Sequence, residues 1–218
     1  MQKIKYLLPS EIEKKSFEII SNELEKMKIK IPEEEKAITL RTIHTSADFD
    51  FAKTMFYSKD SIQIAKNLIK NGADIVCDTN MAKAGINKKI LEKFGGKIHC
   101  FMADEDVAQK AKDLKITRAS ASMEKASKLN KQIIFAIGNA PTALLTLYEM
   151  FEKKIYKPEF IIGVPVGFVN VELAKNLILE SEIPCIINRG RKGGSSIAAA
   201  ICNALLYSLE NKNQKNLR

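Results

Sequence analysis

Tryptophan is absent from these 218 residues and aromatics make up only 7% of them, so the stacking platforms on which single-stranded nucleic acid rests are thinly supplied. Cysteine is scarce as well. Cys77, Cys100, Cys185 and Cys202 stand far apart and form no C-x-x-C pair, which removes the spacing of a zinc site or a redox dithiol. Three of them, Cys77, Cys100 and Cys185, lie inside apolar runs, as the buried reduced thiols of a cytoplasmic protein do. No apolar run approaches the ~18 residues of a membrane span, and ahead of Pro9 the longest apolar run is Tyr6-Leu7-Leu8, too short for the core of an export signal. A cytoplasmic protein with neither a membrane segment nor a metal site of its own is expected.

What is present is ordinary in amount and uneven in placement. Hydrophobic residues at 45% and charged residues at 28% suit a packed globular chain of this length, folded as one large domain. The net charge is +9, and the stretch 186–218 holds six of the cations against one acid. Such a surplus attracts anions: nucleic acid, acidic lipid or a polycarboxylate metabolite.

Five short apolar runs bounded by turn residues read as strands: Asp74 to Cys77, Lys97 to Phe101, Gln132 to Ile137, Phe160 to Val164 and Pro184 to Ile187. Helical spacing fills the intervals, at 104–112, 118–129, 141–153, 170–180 and 194–209. Strands alternating with helices predict a mainly parallel five-stranded sheet covered on both faces. Ahead of it, Ser10 to Ile29 reads as a long helix, with Ser10 and Glu13 as a capping box and a stripe of Ile12, Ile19, Ile20, Leu24 and Met27. A second helix runs from Pro32 to about His44 and a third over 59–70, stopped by Asn71-Gly72. One domain is expected, with helices at about 10–70 extending an α/β part at about 72–209 and a short polar tail at 211–218.

In an open parallel sheet ligands bind at the carboxyl ends of the strands, where loops lead into helix N-termini. The loudest of those loops is Asn188-Arg189-Gly190-Arg191-Lys192-Gly193-Gly194-Ser195-Ser196, in which three cations, three glycines and two serines precede an alanine-rich helix. Guanidinium forks and free N–H groups suit carboxylate or phosphate. Lys192 precedes Gly193-Gly194, so the order is wrong for a phosphate loop of the Walker type. A second cluster is Arg41, His44 and Asp48, which share a face if the helix extends that far and would set an imidazole between a cation and a carboxylate. An imidazole of ordinary pKa ~6.5 is the natural proton donor near neutrality. Ser16 projects from the first helix's apolar stripe, where it is open either to a ligand or to back-bonding onto Ile12. Arg118 opens a helix behind Thr117, and His99 falls within a strand.

Taken together, Ser16-Phe17, Arg41-x-Ile43-His44, the Gly72 to Asp78 strand with Met81 and Ala84-Gly85-Ile86, Thr117-Arg118, Gly138 to Leu144, Gly163 to Val169 and Arg189 to Ser195 resemble the precorrin-8 methylmutase family of corrin ring biosynthesis, over about residues 6–209. The resemblance implies a flavodoxin-like three-layer αβα fold and a homodimer. It implies an isomerase that moves a methyl group from carbon 11 to carbon 12 of precorrin-8 or cobalt-precorrin-8, giving hydrogenobyrinate or cobyrinate. By the same resemblance His44 is the proton donor and acceptor. Ser16, Arg118, Arg41, Asn139, Arg189 and Arg191 are the residues expected on substrate. No cofactor is implied, and any cobalt is carried by the substrate's ring nitrogens. Met81, Val166, Phe168 and Val169 would supply an apolar wall for a flat macrocycle, and its carboxylates would give the basic loop a partner.

Two other readings share some of these features. A non-catalytic tetrapyrrole carrier needs the wall and the cations but no acid. A nucleic-acid-binding domain needs the charge, yet the chain has no recognisable readout module and its lysines are scattered among acids.

Overall fold

The computed structural model describes residues 8–216; the residues read against an export signal up to Leu7, and the last two of the polar tail, lie outside them. Six strands form one sheet in the order β1-β6-β5-β4-β2-β3: β1 (Met55–Tyr57), β2 (Asp74–Cys77), β3 (Ile98–His99), β4 (Ile133–Ile137), β5 (Phe160–Gly163) and β6 (Cys185–Asn188). β2 to β6 are the expected parallel strands. β1 corrects the expected count of five: it lies antiparallel on β6, pairing Met55 with Asn188 and Tyr57 with Ile186. β3 is trimmed to two residues at the opposite edge.

The helices are α1 (Pro9–Lys26), α2 (Glu33–Ser46), α3 (Phe51–Thr54), α4 (Ser61–Lys70), α5 (Asn80–Gly85), α6 (Lys88–Lys93), α7 (Glu105–Leu114), α8 (Arg118–Ala126), α9 (Pro141–Glu152), α10 (Val171–Glu180) and α11 (Ser195–Asn216). α11 runs on through most of the stretch expected to be a polar tail. α1 starts ahead of Ser10: Glu11 accepts the Leu8 N–H at 3.1 Å, so the cap lies at Leu8 and Glu11, and Glu13 is free to pair with Arg41 instead.

The central strands are buried on both faces, and their side chains alternate between two cores. Ile134, Ala136, Phe160, Ile162 and Ile186 face α1, α2, α4 and α11. Ile133, Phe135, Ile137, Ile161 and Ile187 face α8, α9 and α10. A fully buried side chain of this size stabilises by roughly 1.5–3 kcal/mol relative to its exposed state, so the layers hold without staples; all four cysteines are buried free thiols. On α1 only part of the expected stripe is buried: Ile20 and Leu24 enter the core while Ile12, Ile19 and Met27 stay about half exposed.

Candidate active site

The carboxyl end of the sheet is bound together by its own loops. Asp78, just past β2, accepts N–H bonds from Gly138 at 2.9 Å, Asn139 at 2.7 Å and Ala140 at 2.6 Å, which fixes the start of α9. Burial raises the Asp78 pKa, and those three N–H groups work against that rise. Thr79 and Ser195 hydroxyls lie 2.8 Å apart, joining the ends of β2 and β6. A Cβ at Gly193 would stand 2.1 Å from the Val164 carbonyl oxygen and one at Gly138 2.7 Å from Ser195 Cα, so glycine lets these loops close on one another.

The basic loop crosses this platform. Thr54 Oγ1 donates to Asn188 Oδ1 at 2.6 Å, and the Arg189 N–H reaches the Thr54 carbonyl at 2.9 Å. Lys192 Nζ donates at 2.6 Å to both Asp48 and Asp50. These contacts tie the segment after α2 to the loop after β6, and α2 carries His44 two residues before its end. Side-chain hydroxyls of Thr117 and Thr142 meet at 2.8 Å, which places the first residue of α8, Arg118, beside the first turn of α9.

His44 is exposed, and its ring stands edge-on to Phe17 of α1 with centroids 5.5 Å apart. The expected order of cation, imidazole and carboxylate along one helix face is not what forms. α2 ends at Ser46 and Ala47 takes a left-handed conformation with φ 54°, so Asp48 leaves the helix and goes to Lys192. Arg41 turns to Glu13 at 2.6 Å and lies between the rings of Phe17 and Tyr207. The Ser16 hydroxyl donates to the Ile12 carbonyl at 2.9 Å, leaving its lone pairs to accept. His99 is a structural residue of the sheet edge, 2.8 Å from the buried carboxylate of Asp74.

The cations of the platform differ in availability. Arg191 donates to Glu172 at 2.7 Å and stacks near Phe168, and Lys192 is held by its two aspartates. Arg189 lies over the Phe56 ring, 5.0 Å from its centroid, and neither it nor Arg118 has a carboxylate partner among the described residues. Asn139 is exposed beside them in the loop after β4. Around these polar groups the apolar surface is open: Met81 is 72%, Phe168 82% and Val169 77% exposed. Among the described residues no group of three or more His, Cys, Asp or Glu could hold a metal ion, and no helix is long and apolar enough to cross a membrane.

A family model described as precorrin-8X methylmutase matches residues 11–208, the whole platform included. The chain belongs to the precorrin-8X methylmutase family. It is 43% identical over 197 residues to a cobalt-precorrin-8 methylmutase of Priestia megaterium, covering 90% of this chain and 87% of that protein. It is 39% identical to the cobalt-precorrin-8 methylmutase of Salmonella typhimurium, covering 92% and 96%. The solved structure of a precorrin-8X methyl mutase from Thermus thermophilus superimposes with a TM-score of 0.83 at 32% identity, covering 92% of this chain and 98% of that one. Membership makes the chain an isomerase of cobalamin biosynthesis.

Two structural supports of the platform were not read from the sequence. Asp78 looked like the polar end of a strand, because the N–H groups it gathers come from a loop 60 residues later. Lys175 looked like any lysine of an amphipathic helix, yet it is wholly buried.

Proposed function

We propose that this methylmutase converts precorrin-8 or its cobalt complex to hydrogenobyrinate or cobyrinate by moving a methyl group from ring carbon 11 to carbon 12, with His44 as the acid. Protonating the conjugated ring makes the receiving carbon more electrophilic, and the same imidazole takes the proton back once the methyl has migrated. The observation that carries this reading is the placement of His44. It is the one exposed histidine, on a helix whose end is clasped to the basic loop by Lys192, Asp48 and Asp50.

Arg189 and Arg118 take substrate carboxylates directly, while Arg191 exchanges Glu172 for substrate and Asn139 bonds a carboxylate or ring edge. Ser16 accepts from the substrate, and Arg41, held by Glu13, lies on the same approach. Met81, Val166, Phe168 and Val169 cover the macrocycle. No organic cofactor takes part, and cobalt enters only within the substrate. The enzyme works as one domain, in the cytoplasm where its four free thiols stay reduced, and as a homodimer. The open apolar surfaces of α1 and of the Val166 to Val169 loop support the dimer.

A visible-absorbance time course with precorrin-8 or its cobalt form, beside His44→Ala and with product mass measured, tests the reaction. A spectral change at constant mass in the wild type, reduced at least about a hundredfold in the variant, is expected. Retained turnover in His44→Ala would refute the assignment of the acid, and pigment bound without any change would make the protein a carrier.

A further inference from the structure

The peptide carbonyls of the basic loop are hydrogen-bonded one after another. The carbonyl of Arg189 accepts from Asn188 Nδ2 at 3.2 Å and that of Gly190 from Lys175 Nζ at 2.7 Å. The carbonyl of Arg191 accepts the Gly167 N–H at 3.2 Å. That of Lys192 accepts from both Lys175 Nζ at 2.9 Å and Asn188 Nδ2 at 2.8 Å. Four consecutive carbonyls are thus held, three of them by the buried side chains of Lys175 and Asn188 and that of Arg191 by the part-exposed loop after β5. In a trans peptide the N–H of the next residue points the opposite way from the carbonyl, so the N–H groups of Gly190, Arg191, Lys192 and Gly193 are turned away from those donors. None of the four has a hydrogen-bond partner among the described residues.

At the centre of this arrangement is Lys175 on α10, with none of its surface exposed and no carboxylate within salt-bridge distance among the described residues. A buried ammonium without a counter-charge is unfavourable unless carbonyl dipoles surround it. Here two carbonyls of a single loop do so, and burial still draws the Lys175 pKa down to about 8. The other charges around it are Glu172 on its own helix and Arg189, Arg191 and Lys192 on the loop. The interior of the loop is therefore positive and its carbonyls are held, while four successive amide hydrogens, without a partner among the described residues, are left to an anion in the manner of a backbone nest.

Resting on the proposed role of this loop in substrate binding, we infer that Lys175 is a positioning residue that orients the four amides of Gly190 to Gly193 into a backbone site for a carboxylate of the substrate. It touches no substrate itself. Its effect belongs to affinity, since a substrate carboxylate held by amide hydrogens is not among the atoms whose bonds change in the methyl shift.

Lys175→Met keeps the length and volume of the side chain but removes its charge and donors. It is expected to raise KM about tenfold with kcat within about twofold of wild type, the loss of a charge-assisted contact. Lys175→Gln, which retains an amide donor, is expected to fall between the two. Arg189→Ala, measured alongside, tests the loop: unchanged KM there would remove the substrate role of the loop and the inference with it. A raised KM in Arg189→Ala with unchanged KM in folded Lys175→Met would overturn the role of Lys175 alone. If both Lys175 variants fail to fold, the wild type decides. Titration with propane-1,2,3-tricarboxylate, followed by amide NMR, is expected to move the Gly190 to Gly193 N–H resonances downfield, and shifts confined to other amides would overturn the site.

Discussion

Lys192 is an exposed cation in the middle of a proposed anion site, yet in the free protein two carboxylates already hold it. The Lys192 ammonium, and after it the Asp50 N–H, keep the Asp48 carboxyl below the ordinary carboxylate range. A depressed carboxyl pKa stabilises the fold above its unfolded value of ~3.9 and that contribution is lost as pH falls through the folded value. The contact of Lys192 with Asp48 is therefore intact through neutral pH and is lost only as pH falls through that lowered value. Both partners face water, so the contact adds little to overall stability. Its proposed consequence is for substrate: a carboxylate brought to this loop would compete with Asp48 and Asp50 for Lys192. The double variant Asp48→Asn, Asp50→Asn is expected to lower KM by roughly two- to fivefold, with an unchanged midpoint in urea, as steady-state kinetics at pH 7 would show. A raised KM would mean that the clasp serves to hold the end of α2 and His44 in place.

At the scale of elements, the join between β2 and α9 rests on one side chain. Asp78 gives two oxygens to three N–H groups, and Asn has one acceptor oxygen while its amide would meet N–H groups head-on. Asp78→Asn is expected to cost about 2–3 kcal/mol in urea unfolding, and to lower turnover because Asn139 and Thr142 shift with the start of α9. The parallel strands of this sheet were legible because each lies in an apolar run bounded by turn residues, and four of them, β2 and β4 to β6, are buried on both faces. β1 was missed because Met55–Tyr57 is three residues long and only half buried, with no alternation to read. α5 and α6, six residues each, are too short to show a helical period. The site divides in the same way. His44 and the basic loop were visible because their residue types are unusual where they stand. The partner of Arg41 was not, since Glu13 lies on another helix and only packing of α1 on α2 brings it within reach. Lys175 was invisible for a further reason: sequence does not tell a lysine that faces water from one that faces two carbonyls of a loop.

At the scale of the molecule, α1 decides what the chain does next. Ile12, Ser16 and Ile19 are spaced by four and three residues, so they share a strip of that helix. Ile12 and Ile19 are each about half exposed, flanking the buried side that Ile20 and Leu24 form. Phe17, one residue on from Ser16, touches the His44 ring. A second copy laid along this strip would cover the isoleucines and close one wall of the approach to His44, which a single copy leaves open. A net charge of +9 opposes association of two copies, so the dimer is expected to tighten with salt, as apolar contact gains on screened repulsion. Sedimentation velocity is expected to give a species of about 49 kDa, twice the chain mass of 24.4 kDa. Ile12→Asp with Ile19→Asp places four charges where two copies would meet, and is expected to yield a monomer of unchanged circular dichroism and at least tenfold lower kcat/KM. A wild-type chain that sediments as a monomer and still turns over would show that one copy closes the site alone, with the loop from Val166 to Val169 as the cover.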